Sequence, residues 1–233
     1  GETKQIIRVE KSYAYGIKPK NAEQTFALDA LLNPKIKLIQ NTTNVGFGIA
    51  NNQGMAIANG TYYLLLNSDT IIIENGIEKS LKFIKENKEV DILTCRQLNQ
   101  KHQEFVPASF YFKTNSIFQY IAHNPILELL KSKLKNPANN FLAQNTFVEN
   151  LSGAYLLLKK EIYTNTKGFD PDFFIYYEET EWCERIKKQY RLFYLHDVSF
   201  IHLHGKSSPR LIMQQQMHLS GGLYWYKKGV FSY

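Results

Sequence analysis

Residues 61–70 read TYYLLLNSDT. The run Thr61–Leu66 is nearly continuous in apolar and aromatic residues, the pattern of a strand buried on both faces of a sheet. It empties directly into Asn67-Ser68-Asp69-Thr70. A polar, acidic group at the carboxyl end of a buried strand sits where open α/β sheets bind ligands. A carboxylate there suits a hard divalent cation, which can in turn neutralise a diphosphate. A strand-end turn is the alternative, because Asn, Ser and Asp all favour turns. For this tetrapeptide alone the turn is the stronger reading.

Working outward, strands and helices alternate. Lys35–Gln40 reads as a short strand, residues 46–59 as a helix-permissive segment, and Asn59-Gly60 as a turn. The stretch Glu74–Lys85 carries Ile77, Leu81 and Ile84 on one helical stripe. Val90–Cys95 is a second apolar strand. Residues 96–147 are polar and irregular, apart from the amphipathic helix expected over Pro125–Leu134. Gly153–Lys159 is a strand, Glu178–Lys188 a helix, and Leu192–Leu195 and Val198–Leu203 two further strands. Leu211–Lys228 is largely apolar and ends in Tyr224-Trp225-Tyr226. This alternation implies an α/β domain with a mostly parallel sheet.

A chain of 233 residues with 44% apolar and 14% aromatic content can bury one large core. No run approaches the ~20 apolar residues of a membrane span. The charged start, Gly1 to Arg8, lacks a signal peptide's apolar centre, so a soluble, cytoplasmic protein is expected. Cys95 and Cys183 form no metal-binding or disulfide spacing. A net charge of +7 suits phosphorylated molecules, an anionic membrane or nucleic acid. The basic residues are scattered rather than clustered, which argues against nucleic acid.

Further motifs flank the opening stretch. Asn44-Val45-Gly46-Phe47-Gly48 and Ala50-Asn51-Asn52 lie upstream, with glycines that permit close backbone approach. Downstream come Ser152-Gly153-Ala154, Gly168-Phe169-Asp170, the acidic run Phe173 to Glu181 (FFIYYEETE), and His202-Leu203-His204-Gly205-Lys206-Ser207. In this order, over roughly residues 38–208, the set resembles family 2 glycosyltransferases, in particular the bacterial rhamnosyltransferase-like branch of polysaccharide synthesis. That branch shows N-x-G-F-x-x-x-N-N, L-L-N-x-D, S-G-A, G-F-D-x-x-F-F-x-Y-x-E-D-x-D and H-x-x-G-x-S.

The resemblance implies a GT-A fold, Rossmann-like, its sheet flanked by helices. It implies inverting transfer of a sugar from a nucleotide-diphosphate donor to a saccharide or lipid-linked acceptor, with Mg²⁺ or Mn²⁺ as cofactor. Asp69 is the implied metal ligand, with Asn67 beside it and His202 completing the shell. Asn44, Gly46 and Asn51 would line the donor pocket, and Lys206 would reach a phosphate. Gly153, Ala154 and Glu178 fall on the acceptor side. Glu179 stands where the family carries its catalytic base, an Asp, so its reach is one methylene longer. His204 is a minor candidate ligand.

If the acidic run is helical, Glu179 and Glu181 point about 200° apart and cannot both serve one hydroxyl. Glu178, Glu181 and Arg185 share a face, which favours an internal ion pair. The family's usual first strand, I-V-x-Y-N, has no counterpart here, so that N-terminal strand is expected to be missing or divergent. The expected layout is a catalytic domain over 1–208, with 96–147 as a variable acceptor-side region, and a helical, aromatic-rich extension over 209–233. Pro125–Lys135, basic and amphipathic, is a candidate for peripheral contact with the inner face of the cell membrane; a helix covering the sheet is the alternative. A catalytically inactive sugar-nucleotide or carbohydrate-binding module is the competing functional class.

Overall fold

The computed structural model describes residues 37–104, 143–203 and 210–229. The chain separates into two compact units, residues 1–44 and 45–233. In the first unit only 37–44 are described. They form no strand, and Leu38 and Ile39 are exposed. The strand expected over Lys35–Gln40 is therefore absent across 37–40. Alternating lysine and apolar residues make a half-buried strand only where a neighbouring strand supplies the ladder. The helix expected over Pro125–Leu134, residues 105–142 of the variable acceptor-side stretch, His204 and Lys206 lie outside the described residues; at its two ends that stretch, expected to be irregular, includes strand residues 96–98 and 146–147.

The second unit begins with α1 (Phe47–Ile57), β1 (Tyr62–Leu66), β2 (Thr70–Ile72), α2 (Gly76–Glu86) and β3 (Ile92–Leu98). After the excursion come β4 (Thr146–Phe147), β5 (Tyr155–Lys159), α3 (Lys160–Thr166), α4 (Glu178–Ile186), β6 (Leu192–His202) and α5 (Arg210–Lys227). The sheet runs β1-β5-β3-β6-β2, with β4 also on β6. This is the expected α/β architecture, a central sheet flanked by helices. Its pairing is mixed: among the described strands β3·β6 is parallel and the others are antiparallel. The β3-to-β6 connection carries α3 and α4, as a parallel crossover requires. Alternation in sequence gives no direction to the strands that enter from elsewhere.

The two strands expected over 192–203 are one strand, β6, with an excursion. Cys95 pairs with Leu195 but Arg96 pairs with Ser199, so residues 196–198 loop out of the ladder. The polar pair His196-Asp197 marks that bulge in the sequence.

Period-2 alternation divides the apolar residues between two cores. Tyr63, Leu65, Ile92, Leu156, Leu158 and Leu192 face α1, α3 and α4, meeting Met55, Ile162, Trp182 and Ile186. Leu93, Cys95, Leu157, Phe193 and Leu195 face the opposite side with Ile84 of α2, and Tyr62 and Leu64 pack there too. So β1 is covered on both faces, as its continuous apolar run implies. Both cysteines are buried and free. Among the described residues no helix is long and apolar enough to cross a membrane.

Candidate functional site

The carboxyl end of the parallel pair β3·β6 gathers several polar groups. In β2, Thr70 pairs with His202, the last residue of β6. The loop before it brings Asp69 alongside, so that Asp69 Oδ1 and His202 Nε2 lie 3.1 Å apart. The backbone fixes the loop: the Leu203 N–H donates to the Asp69 carbonyl (2.9 Å) and the Asn67 N–H to the Ala154 carbonyl (3.1 Å). Thr70 Oγ1 donates to the Asn67 carbonyl at 2.7 Å. Behind the ring, the Gln97 amide nitrogen stands 3.1 Å from His202 Nδ1. Ser152 Oγ lies 3.5 Å from Gln97 Oε1 and receives the Ala154 N–H at 3.4 Å.

Of the residues singled out in the sequence, Asp69, Asn67, His202 and Ala154 are thus brought together. The ordering comes from strand ends that only the tertiary pairing makes adjacent. Gly153 lies beside this group, against the Phe47 ring; a Cβ there would stand 3.3 Å from it. Gln97 was not singled out. In sequence it is a glutamine just past the apolar run Val90–Cys95, and its burial, at 3% exposure, shows only in the fold.

Phe47 opens α1 and links this end of the sheet to the acidic turn. Its ring meets Phe169 edge-on at 5.6 Å, and its N–H donates to the Phe174 carbonyl at 3.2 Å. The glycine before it explains the close approach: a Cβ on Gly46 would stand 2.3 Å from Phe174 O, and φ is +83°. The close approach read from Gly46 is made to the chain's own backbone. Asn51 donates to the Phe47 carbonyl within its own helix (2.9 Å). Its neighbour Asn52 brackets the Phe169 peptide, donating to its carbonyl at 2.8 Å and accepting its N–H at 2.9 Å. Asn44 belongs to the first unit and is exposed.

Gly46→Ala is expected to destabilise the fold by ~2–4 kcal/mol, since it combines left-handed strain with a clash against backbone. Chemical denaturation would measure it as a lowered midpoint at unchanged slope. A midpoint within experimental error of the parent would show that α1 and the acidic turn are not locked here.

The turn itself is strained. Tyr176 and Tyr177 are consecutive residues at φ +66° and +67°, each costing of order 1–3 kcal/mol. Such strain persists where neighbours over-determine it. Here the two preceding carbonyls are held, Phe174 by the Phe47 N–H and Ile175 by Ser220 Oγ of α5 at 2.6 Å. The Tyr224 ring lies tilted against Tyr177, with centroids 5.6 Å apart. Lys227 of α5 bridges Asp170 and Asp172.

Beyond the turn, α4 starts with Glu178, Glu179 and Glu181 in its first turn, where the helix dipole favours negative charge. Glu181 makes a two-pronged pair with Arg185, at 2.6 and 2.7 Å. The same guanidinium donates to the carbonyls of Thr166 and Gly168, at 2.5 and 2.6 Å. The ion pair expected on that face therefore forms, and it serves to join α3 to α4. Glu178 takes no part in it.

Glu178 is buried, packs near Gly48 of α1, and leaves Oε2 without a hydrogen-bond partner. Burial, aided by the charge of Glu179, pushes its carboxyl up to about 9, so it is a neutral acid at pH 7. Burial also raises Glu179 above the ordinary glutamate range. A carboxyl whose folded pKa is raised favours folding below its unfolded value, near 4.5, and loses that contribution as pH climbs toward 9. Glu178→Gln, which mimics the neutral acid, is expected to be the more stable protein at pH 8, by at least ~1 kcal/mol or roughly 2–4 °C in Tm. The gap should close near pH 4.5. Parallel Tm-against-pH curves for the two proteins would contradict the assignment.

Asp69 Oδ1 and His202 Nε2 suit a divalent cation. Two ligands at about 2.1 Å and a right angle lie about 3 Å apart, close to their observed separation. Among the described residues no group of three or more His, Cys, Asp or Glu could hold a metal. The remaining positions would fall to substrate oxygens and water, as is usual for Mg²⁺ with phosphate substrates.

Comparison with known proteins bears on the family and the fold. A glycosyltransferase of Methanocaldococcus jannaschii, itself uncharacterized, is 27% identical over 123 residues, covering 49% of this chain and 42% of that protein. The mannosyltransferase PcManGT from Pyrobaculum calidifontis, solved with GDP-Man and Mn²⁺, superposes with a TM-score of 0.55 at 14% identity, over 93% of this chain and 53% of its own. S. aureus TarS, solved with UDP-GlcNAc, gives 0.51 at 16% identity over 81% and 48%. GalNAc-T7, solved with UDP, GalNAc and Mn²⁺, gives 0.54 at 15% over 82% and 37%. The chain thus spans about half the length of these relatives or less, and the structural likeness establishes the GT-A fold. Residues 20–179 match the model for "Glycosyl transferase family 2", a span that holds α1, Asp69 and the acidic turn through Glu179. The chain belongs to that family.

Proposed function

We propose that the chain carries the donor-binding and catalytic machinery of an inverting glycosyltransferase. It moves a sugar from a nucleotide-diphosphate donor to a saccharide or lipid-linked acceptor, in the synthesis of cell-surface polysaccharide. The observation that carries this reading is the Asp69–His202 pair at the carboxyl end of the parallel strands, on a chain of this family. Relatives of the same fold were solved with GDP-Man, UDP-GlcNAc and UDP, two of them with Mn²⁺.

In an inverting transfer one displacement suffices. The acceptor oxygen bonds to the anomeric carbon as the bond to the diphosphate oxygen breaks, and the electron pair leaves with the diphosphate. Glu179 takes the acceptor's proton. Asp69 and His202 would hold a divalent cation, whose charge stabilises the departing diphosphate. The neutral Glu178 acid beside Glu179 limits charge repulsion in the turn. Such a protein would work at the cytoplasmic side of the cell membrane, where its nucleotide-sugar donor is available.

A thermal-shift screen of nucleotide sugars, with and without Mn²⁺, tests the donor site. Stabilisation by one nucleotide sugar that depends on Mn²⁺ is expected, because a ligand of the folded state raises its apparent stability. No shift with any donor would remove the reading. Binding without transfer or hydrolysis would favour an inactive binding module instead.

A further inference from the structure

Helix α4 starts without a side-chain cap. Its N-cap residue, Tyr177, has left-handed backbone angles (φ 67°, ψ −9°) and its side chain makes no capping hydrogen bond. A serine, threonine, aspartate or asparagine there would fix the first turn locally. That first turn carries Glu178 and Glu179, and two consecutive left-handed tyrosines lead into it. Its place is therefore set from other elements. One grip comes from α1, through the Phe47 N–H on the Phe174 carbonyl.

Helix α5 supplies a series of grips along the same segment. Lys227 bridges Asp170 and Asp172 ahead of the turn. Ser220 Oγ donates to the Ile175 carbonyl within it, at 2.6 Å. The Tyr224 ring lies against Tyr177, and Lys228 pairs with Glu184 of α4 at 3.2 Å. Ser220, Tyr224, Lys227 and Lys228 recur at spacings of three and four, which is one face of a helix. Phe173, Tyr177, Tyr224 and Trp225 close a small core between this face and the turn.

We propose that this face of α5 positions the acidic turn for catalysis, with Ser220 and Lys227 as positioning residues. Ser220 acts through the Ile175 carbonyl and Lys227 through Asp170 and Asp172, and together they hold Glu179 in place. The inference rests on Glu179 as the base, as proposed above. Without Ser220 the Ile175 carbonyl loses its partner, and the two left-handed residues that follow are free to relax. A displacement of ~1 Å at a reacting group can cost ~10²-fold in rate.

Hydrogen exchange read by mass spectrometry follows the turn without any donor. The parent chain is compared with Ser220→Ala, Lys227→Met and Lys227→Arg. Alanine is the better helix former, so a serine that served α5 alone would leave exchange unchanged or slower. Ser220→Ala is expected instead to exchange at least ~10-fold faster over residues 173–183, with β1, β5 and β6 as in the parent. Lys227→Met should give the same local pattern, and Lys227→Arg should restore the parent's rate. Parent-like exchange over 173–183 in either Ser220→Ala or Lys227→Met, or faster exchange spread over the whole unit, would overturn the inference.

Turnover ties the turn to the chemistry. Release of nucleoside diphosphate is measured from GDP-Man and from UDP-GlcNAc, the nucleotide sugars of two structural relatives, each with Mn²⁺ and well below each variant's Tm. Ser220→Ala is expected to lower kcat by ~10–100-fold with the donor's KM within a few-fold, because the donor contacts are proposed at the strand ends. Parent-like kcat in Ser220→Ala beside a disabled Glu179→Gln would overturn the positioning role. Parent-like turnover in Glu179→Gln removes the base reading instead, and exchange alone then decides whether α5 fixes the turn.

Discussion

Glu179→Gln is expected to lower kcat for sugar transfer by 10²–10⁴-fold, the usual contribution of a positioned general base. Donor binding should stay within a few-fold of the parent, because the cation and diphosphate contacts are proposed at the strand ends, on other elements. Glutamine keeps the size and polarity of the side chain but cannot take a proton. Burial raises the Glu179 carboxyl, so it is a stronger base than an exposed glutamate. In the proposed role the deprotonated form is the active one. The parent's kcat should therefore rise with pH through a value above the ordinary 4.5, and that limb should be missing from the residual activity of the variant. Single-turnover transfer with donor binding measured in parallel separates the two effects. Parent-like turnover would remove Glu179 as the base.

The neighbouring acid supplies the contrast. Glu181 is committed to Arg185, whose guanidinium also joins two backbone carbonyls of the α3–α4 connection. Its replacement should cost stability, since the partner charge would be left half-buried without its mate. Turnover per folded molecule should hold. In the proposed reading two glutamates two residues apart divide into a base and a structural ion pair, in keeping with the angle between them on the helix.

The parts of this division that local pattern controls could be read from the sequence. The 3.6-residue stripe over Ile77, Leu81 and Ile84 and the apolar run of β1 each matched an element, because burial on a known period is a local property. The ordered motifs singled out Asp69 and His202, which the strand pairing brings 3.1 Å apart. Strand direction and strand pairing were not legible, because they depend on partners distant in sequence. The failed strand at 37–40 and the bulge at 196–198 are both of this kind. Gln97 escaped for a similar reason: in sequence it is a polar residue near a strand end, and only the Arg96↔Ser199 register brings it to His202. Gly46 was legible as a close approach but not in its partner, since nothing local to it names the Phe174 carbonyl.

Asp69→Asn discriminates most sharply between a ligand and a turn at the segment that opened the sequence reading. Asparagine is the same size and as good a turn former, and its side-chain oxygen can still accept the His202 proton. The loop's anchoring bonds, from Leu203 N–H to the Asp69 carbonyl and from Asn67 N–H to Ala154 O, are backbone bonds that the substitution leaves intact. Were Asp69 only a turn residue, stability would move within about 0.5 kcal/mol and turnover would not change. As the sole carboxylate proposed for the cation, it is expected instead to lower kcat/KM by 10²–10³-fold. That corresponds to ~3–4 kcal/mol of lost charge stabilisation at the departing diphosphate. Mn²⁺ affinity should fall with it, and part of the loss should return at high Mn²⁺, because the diphosphate can still carry some cation into the site. Loss of activity that no Mn²⁺ concentration relieves, with Mn²⁺ affinity unaltered, would assign Asp69 to the sugar rather than to the metal.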